Sequence, residues 1–300
     1  PDAYLADIKD APGIMFGGDA LYEAPNRPTG ARIMFFAKPA TKEAKDKDGK
    51  VKEEGFKTDT LYAAIYSASG ELIRTLQQKV DTVGFHRLIW SLDEKGNRMP
   101  GSKKPKKTDP ERGGIEVLPG TYKVVLTLGK DKDSTTVTVK PDPRKAFNLT
   151  NETEKRALLA RLQKSSDKLV TATDRLDEVK TIAERLQTQL KDEEGATADT
   201  LKKASKRILE AIKTTNEVIM GKKADRQGYG RPYQLTALGK MGEAGRYIRS
   251  KSKVTSAEVT IVEAAEALTA EALDKVNAFF EKDWKTYESL VKANPVETFK

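Results

Sequence analysis

Cysteine is absent from this 300-residue chain and histidine occurs once, at His86. The first absence removes disulfides, thiolate metal sites and a cysteine nucleophile together, while leaving the compartment open. The second removes any metal site built on several histidines, and no Ser or Cys motif of the nucleophile-elbow type accompanies His86. No window reaches the roughly 18 consecutive apolar residues that a membrane span requires, so no span is expected. The N-terminus lacks the charged, apolar and small-residue succession of a secretory signal. A start at Pro1 instead of Met reads as a piece of something longer, which gives that missing leader little weight. Neither G-x-x-x-x-G-K-[ST] nor G-x-G-x-x-G stands between a strand and a helix, so no nucleotide or other cofactor is expected.

What is present is a polar, heavily charged chain: 37% hydrophobic and 33% charged residues, with a mean hydropathy of -0.62. Its length suits two domains. The period of the pattern changes near residue 145, from alternation to helical spacing. The expected layout is a linker over 1–25, a β-sandwich over 26–144 and a helical bundle over 145–300.

Six stretches rich in β-branched and aromatic residues read as strands: 31–38, 60–67, 71–79, 85–92, 121–128 and 134–140. Ser67-Ala68-Ser69-Gly70 supplies a hairpin connection and Leu118-Pro119-Gly120 a strand entry. Six or seven short strands point to a sandwich. Two charged inserts, 41–57 and 103–112, read as solvated loops that blunt exposed sheet edges.

Beyond Pro141-Asp142-Pro143-Arg144, small or apolar residues recur at alternating steps of four and three: Leu158, Leu162, Ser165, Leu169, Ala172, Leu176, Val179, Ala183, Leu186 and Leu190. A repeat near 3.5 places all ten on one narrow stripe of a helix, and such a stripe needs a partner. Asn151 and Glu154 are spaced as a capping box at its start, and Gly195 marks its end. A second helix is expected over 199–220 with Leu201, Ile208, Ile212 and Ile219. A third follows Pro232 and presents Leu235, Leu238, Met241 and Ile248. A fourth begins at Thr255, with Glu258 in capping-box register, and carries Phe279, Phe280 and Trp284 as bulky partners for the thin points of the stripe. Four helices with short links favour an antiparallel four-helix bundle. A homodimeric coiled coil is the rival use of the same stripe.

Asn26-Arg27-Pro28-Thr29-Gly30-Ala31, the strand 61–66 followed by Gly70, Gly84-Phe85-His86-Arg87 leading to Trp90, and Pro119-Gly120-Thr121-Tyr122 leading to Val139 resemble the immunoglobulin-like module of the flagellar hook-capping type. The whole chain resembles the C-terminal part of large bacterial proteins, common in Bacteroidetes, known as sortilin-like or BNR-repeat glycosyl hydrolases. In these a β-propeller precedes a sandwich that closes on Asp-Pro-Arg and a helical region, and Asp142-Pro143-Arg144 matches that sequence. The resemblance implies an immunoglobulin- or fibronectin-like fold and an accessory role beside a propeller. Ser91-Leu92 departs from it, because the hook-capping modules often carry Asp-Gly after the tryptophan.

No residue stands out as catalytic. His86 shares strand parity with Leu88 and Trp90, which reads as half-buried packing. The carboxylates are numerous but none is singled out as half of a glycosidase pair, and Asp131-Lys132-Asp133 lacks the further oxygen ligands of a calcium loop. Charge is more informative. Between Lys222 and Lys253 nine Lys and Arg face two acids, a net +7 of the chain's +9. Lys222, Lys223, Arg226, Tyr229, Arg231, Tyr233, Arg246 and Arg249 form the candidate surface for a polyanion or protein partner. No helix-turn-helix or zinc finger is present, so nucleic acid is not the expected partner. Asp59-Thr60-Leu61, Asp81-Thr82-Val83 and Asp199-Thr200-Leu201 resemble the O-glycosylation pattern of Bacteroidetes envelope proteins and favour an extracytoplasmic location. The expected function is that of a non-catalytic module, docking a propeller-bearing protein in the cell envelope through the sandwich edge or the basic segment. The alternatives are substrate contacts within a glycan-active hydrolase and polyanion binding.

Overall fold

A computed structural model describes residues 2–6, 28–39, 41–45, 51–106, 108–222, 234–249 and 253–295. It combines a strand-rich region with four helical rods and divides into two compact units, 1–96 with 105–152, and 97–104 with 153–300.

In the first unit, β1 (Ala3–Leu5), β5 (Asp59–Tyr66), β6 (Leu72–Val80), β10 (Gly120–Leu128) and β11 (Asp131–Pro141) form one sheet in the order β1-β11-β10-β5-β6. Only β1 runs parallel to its neighbour, with Ala3 opposite Val139 and Leu5 opposite Pro141. A second sheet pairs β2 (Ala31–Ala37) with β7 (Gly84–Trp90) antiparallel. Alternation works as period 2 requires: Ala31, Ile33 and Ala37 of β2, Leu88 and Trp90 of β7, and Leu61, Ala63, Ile65, Val124, Val137 and Val139 of the larger sheet join one buried cluster. Trp90 is fully buried, meets Tyr122 edge to face at 5.3 Å and donates its indole N–H to Asp93 O at 2.9 Å.

Two backbone positions fix this core. A Cβ on Gly30, at φ 98°, would lie 2.3 Å from Trp90 O, so only glycine admits the approach of the two chains. Leu92 holds φ 60°, rare for a branched residue. Its side chain is buried and its carbonyl accepts Val117 N–H at 2.8 Å, contacts that offset the steric cost of the left-handed conformation.

The stretch expected as a linker supplies β1. The insert expected as a loop over 41–57 instead contains the hairpin β3 (Thr41–Lys45) and β4 (Val51–Phe56). Asp48-Gly49 between them is the strongest short hairpin signal, which its charged surroundings outweighed. Directly after the second insert, β9 (Gly113–Glu116) pairs with β8 (Asp93–Lys95).

The second unit holds α1 (Leu149–Gln189, its first residues in the first unit), α2 (Ala196–Met220), α3 (Ala237–Ile248) and α4 (Ser256–Phe279). α4 continues through a π-helical turn, Phe280–Trp284, into α5 (Lys285–Ala293). All ten residues of the stripe are buried, from Leu158 to Leu190, the most exposed being Leu186 at 8%. Beside the stripe, Arg161 of α1 reaches α4 with a bidentate pair on Glu266 at 2.9 and 2.6 Å. Arg175 lies 4.1 Å above the Phe280 ring. Tyr287 of α5 shares a 2.8 Å hydrogen bond with the buried Ser205 of α2, and burial raises the tyrosine pKa. α1 starts earlier than expected, since Asn148 Oδ1 accepts Asn151 N–H at 3.0 Å and does the capping assigned to Asn151. The Thr255 and Glu258 capping box is present. α3 is capped by Thr236 and starts at Ala237; Leu235 precedes it and is exposed.

Residues 97–104 are held against α1: Asn97 donates to Asp167 at 2.7 Å, Arg98 pairs with Asp174, Gly101 N–H reaches Thr173 Oγ1 at 3.3 Å, and Lys104 pairs with Glu178 at 3.1 Å. Lys104 of the second insert therefore meets a helix surface, where the carboxylates of Glu178 and Asp174 raise its pKa.

Candidate interaction surface

Of the basic residues singled out by sequence, Lys222, Arg246 and Arg249 fall within the described residues; Lys223, Arg226, Tyr229, Arg231 and Tyr233 lie outside them. Lys222 follows the C-cap Gly221. The Gln234 side chain clasps its backbone twice, accepting Lys222 N–H at 2.5 Å and donating to Lys222 O at 3.1 Å. Arg246 and Arg249 lie three residues apart at the end of α3, both exposed, with Tyr247 exposed between them. Cations suit a helix C-terminus, where the backbone dipole is negative, and Arg249 Nη1 donates to Gly245 O at 3.3 Å. Lys240 is neutralised by Glu243 at 3.0 Å.

A second surface escaped the sequence reading. In the β2–β7 ladder Arg32 stands opposite Ile89, Met34 opposite Arg87 and Phe36 opposite Phe85. These six side chains have the outward parity. Met34 is 55% exposed, Phe36 60%, Phe85 78% and Ile89 37%. At roughly 200 Å² for a large side chain this amounts to roughly 450 Å² of apolar area, within the range of patches that on soluble proteins are often functional. Phe36 and Phe85 already meet edge to face at 5.4 Å, and Arg32 and Arg87 frame the patch with positive charge. The available signal was the unbroken run Ile33-Met34-Phe35-Phe36. A half-buried strand alternates, whereas this one is apolar at both parities.

The other residues singled out by sequence make the following contacts. His86 stacks on Phe35 with ring centroids 5.5 Å apart, and its Nε2 lies 3.0 Å from Thr82 O. Asp142, buried, accepts Arg144 N–H at 3.0 Å and the guanidinium at 2.9 and 2.7 Å, which holds its carboxyl well below the usual carboxylate range. Asp-Pro-Arg is a turn that closes on itself. Arg74, buried, pairs with Asp93, and Glu111 accepts Thr75 N–H at 2.8 Å while meeting Lys95 at 3.1 Å. Among the described residues no group of three or more acidic or histidine side chains is placed to hold a metal ion, and no helix is long and apolar enough to cross a membrane. Of the three threonines in the glycosylation-like patterns, Thr82 and Thr200 are exposed and Thr60 is half-buried within β5.

No family model matches the chain, and no curated protein matches it. Among solved structures it is similar to pT26-6p at 14% identity and a TM-score of 0.14, over 80% of this chain and 42% of that one. The chain spans less than half the length of that structure.

Proposed function

We propose that the chain is a non-catalytic interaction module, an immunoglobulin- or fibronectin-like sandwich followed by an antiparallel four-helix bundle. Its work is to dock a larger, propeller-bearing polypeptide to a protein partner of the cell envelope, or to complete that polypeptide's fold, outside the cytoplasm. The observation that carries the reading is the outward face of β2 and β7, where Met34, Phe36, Phe85 and Ile89 are exposed together. Soluble surfaces seldom keep such a patch without a use for it.

The sandwich is supported by the single core cluster drawn from both sheets and by Tyr122, which lies near the start of β10 and donates to Leu118 O at 2.6 Å in the manner of the tyrosine corner of immunoglobulin-like domains. Leu92 supports the resemblance from the opposite direction. The place where the hook-capping modules often carry glycine has a left-handed backbone here, although the residue is leucine. The bundle reading rests on the buried stripe of α1 and its ties to α4.

The test compares the chain with a Phe36→Ser/Phe85→Ser variant. Both are used to capture envelope proteins; the protein taken only by the unaltered chain is purified and its affinity measured by calorimetry. At least about a tenfold loss in the variant, equivalent to roughly 1.4 kcal/mol, is expected. Equal affinity refutes the assignment of this face. Hydrolysis of a glycan that one carboxylate substitution abolishes would overturn the non-catalytic reading.

Exposure of Lys222, Arg246 and Arg249 favours a second reading, polyanion binding. It requires affinity for a sulfated polysaccharide that falls steeply with salt and is lost when Arg246 and Arg249 are changed to Glu.

A further inference from the structure

Beside the apolar face, the first unit opens into a cleft of about 960 Å³. Its two walls are strand edges. Gly30 to Lys38 line one side without a gap and Asp131 to Val137 the other, over an apolar floor that includes Leu61, Leu126 and Leu128. β2 has its partner β7 on the far side, and β11 has β10. β1 covers β11 only from Val139 onward. Among the described residues no strand pairs with the cleft-facing edge of β2 or with that of β11 before Val139.

The two edges are not equivalent. β11 enters the cleft as Asp131-Lys132-Asp133, the charged guard by which natural sheets discourage strand addition. β2 runs Ala31-Arg32-Ile33-Met34-Phe35-Phe36-Ala37, with one charge and no proline. Among the described residues nothing pairs with this edge along its length, and little on it repels a newcomer.

We propose that this cleft receives an extended peptide segment of a partner protein, which adds to β2 as a further strand. The shape of the site defines the chemistry of the occupant. Seven residues of β2 correspond to about 23 Å of extended chain. One set of side chains on the added strand enters the floor beside Leu61, Leu126 and Leu128. The other set emerges next to the exposed Met34 and Phe36. The incoming segment is therefore apolar at both parities, with main-chain hydrogen bonds giving affinity and the floor giving selectivity. A second copy of the chain is the poorer occupant, because a cleft walled on both sides admits a lone strand more readily than the edge of a folded sheet. This goes beyond the docking face of β2 and β7: the face uses side chains, the cleft uses the backbone edge.

The experiment uses the full chain and an acetylated, amidated peptide of alternating valine and phenylalanine with a lysine at each end. Its control is the same peptide with proline at every second position, which lacks the N–H groups needed for pairing. Binding is followed by fluorescence anisotropy and by hydrogen exchange resolved over 31–37. The expected result is saturable binding of the first peptide, at least tenfold weaker binding of the control, and at least tenfold slower exchange over 31–37 in the complex. The exposed substitution Phe36→Lys weakens the peptide several-fold with little effect on folding. Three results overturn the proposal: equal binding of both peptides, exchange over 31–37 already as slow in the chain alone as over β5, or a peptide-free dimer in sedimentation that protects the same edge. Loss of partner binding in an Ile89→Lys variant with peptide addition intact separates the two surfaces, because Ile89 belongs to the exposed face and not to the cleft lining.

Discussion

Replacing Leu169 by Ala tests the central claim about the helical unit. Leu169 is completely buried at the middle of the α1 stripe. Its neighbours one turn away on the same helix, Ser165, Ser166, Ala172 and Thr173, are also buried and are all small. Short side chains cannot swing into a vacated volume, so most of the cavity left by the leucine persists. Leu→Ala changes of this kind cost about 3–5 kcal/mol, with the higher figures where collapse is poorest. About 3–4 kcal/mol is expected here. For a unit of this size that lowers the midpoint of thermal unfolding by roughly 6–16 °C. The reference is Ile182→Ala on the same helix, where the side chain is 54% exposed and the cost stays below about 0.5 kcal/mol. Urea unfolding followed by the helical circular dichroism signal measures both, with the stability change read from the midpoint at unchanged slope. Equal costs for the two variants would refute the stripe as a packed seam. A midpoint that rises with protein concentration would point instead to the coiled-coil dimer.

Other substitutions probe single features. Arg74→Met strands the Asp93 carboxylate in a buried site and should lower stability by about 3–5 kcal/mol; adding Asp93→Asn should restore most of it, as thermal denaturation of the single and double variants will show. The depressed pKa of Asp142 means that its pairing with Arg144 stabilises the fold above the unfolded carboxylate value of about 4 and is lost as pH falls through the lower folded value. The stability gap between the protein and Asp142→Asn should therefore close on acidification, and a constant gap from pH 7 to pH 2 would contradict the pairing. Thr255→Ala removes the N-cap of α4 and should cost about 1 kcal/mol, seen as faster amide exchange in the first turn.

The helical half was legible in the sequence because its signal is redundant. Ten positions of the α1 stripe reinforce one another, and all ten are buried. Leu201, Ile208, Ile212 and Ile219 of α2 are buried as well. The strands were legible wherever turn chemistry and β-branched runs coincided, and the six expected strands are present to within three residues at either end. What escaped is of two kinds. β3 and β4 are strands of charged sequence that pair with each other, and neither carries the apolar alternation that marks a strand in a sequence. β1 is three residues long and borrows its order from β11. The exposed face of β2 and β7 was signalled only by the run Ile33-Met34-Phe35-Phe36: an apolar residue predicts burial, and only the register shows which of two apolar parities is left outside. The basic segment was legible as composition, but composition does not reveal that the Gln234 side chain holds the Lys222 backbone by two hydrogen bonds.

The π-helical turn between α4 and α5 keeps a helix in phase with its neighbours. Along α4 the buried residues Val262, Ala265, Thr269, Ala272, Val276 and Phe279 follow steps of three and four. Continued unbroken, that rhythm would bring Thr286 inward. Thr286 is exposed, and Tyr287 is the residue that meets Ser205. The wide turn absorbs one residue, which in a regular helix would rotate everything beyond it by about 100°. Deleting a single residue between Phe280 and Trp284 should therefore regularise the helix and leave the tyrosine on Ser205. The same deletion within α4 would turn the whole C-terminal end away from the core. One short stretch of the chain is thus a length buffer, where the gene can lose a codon without losing the fold.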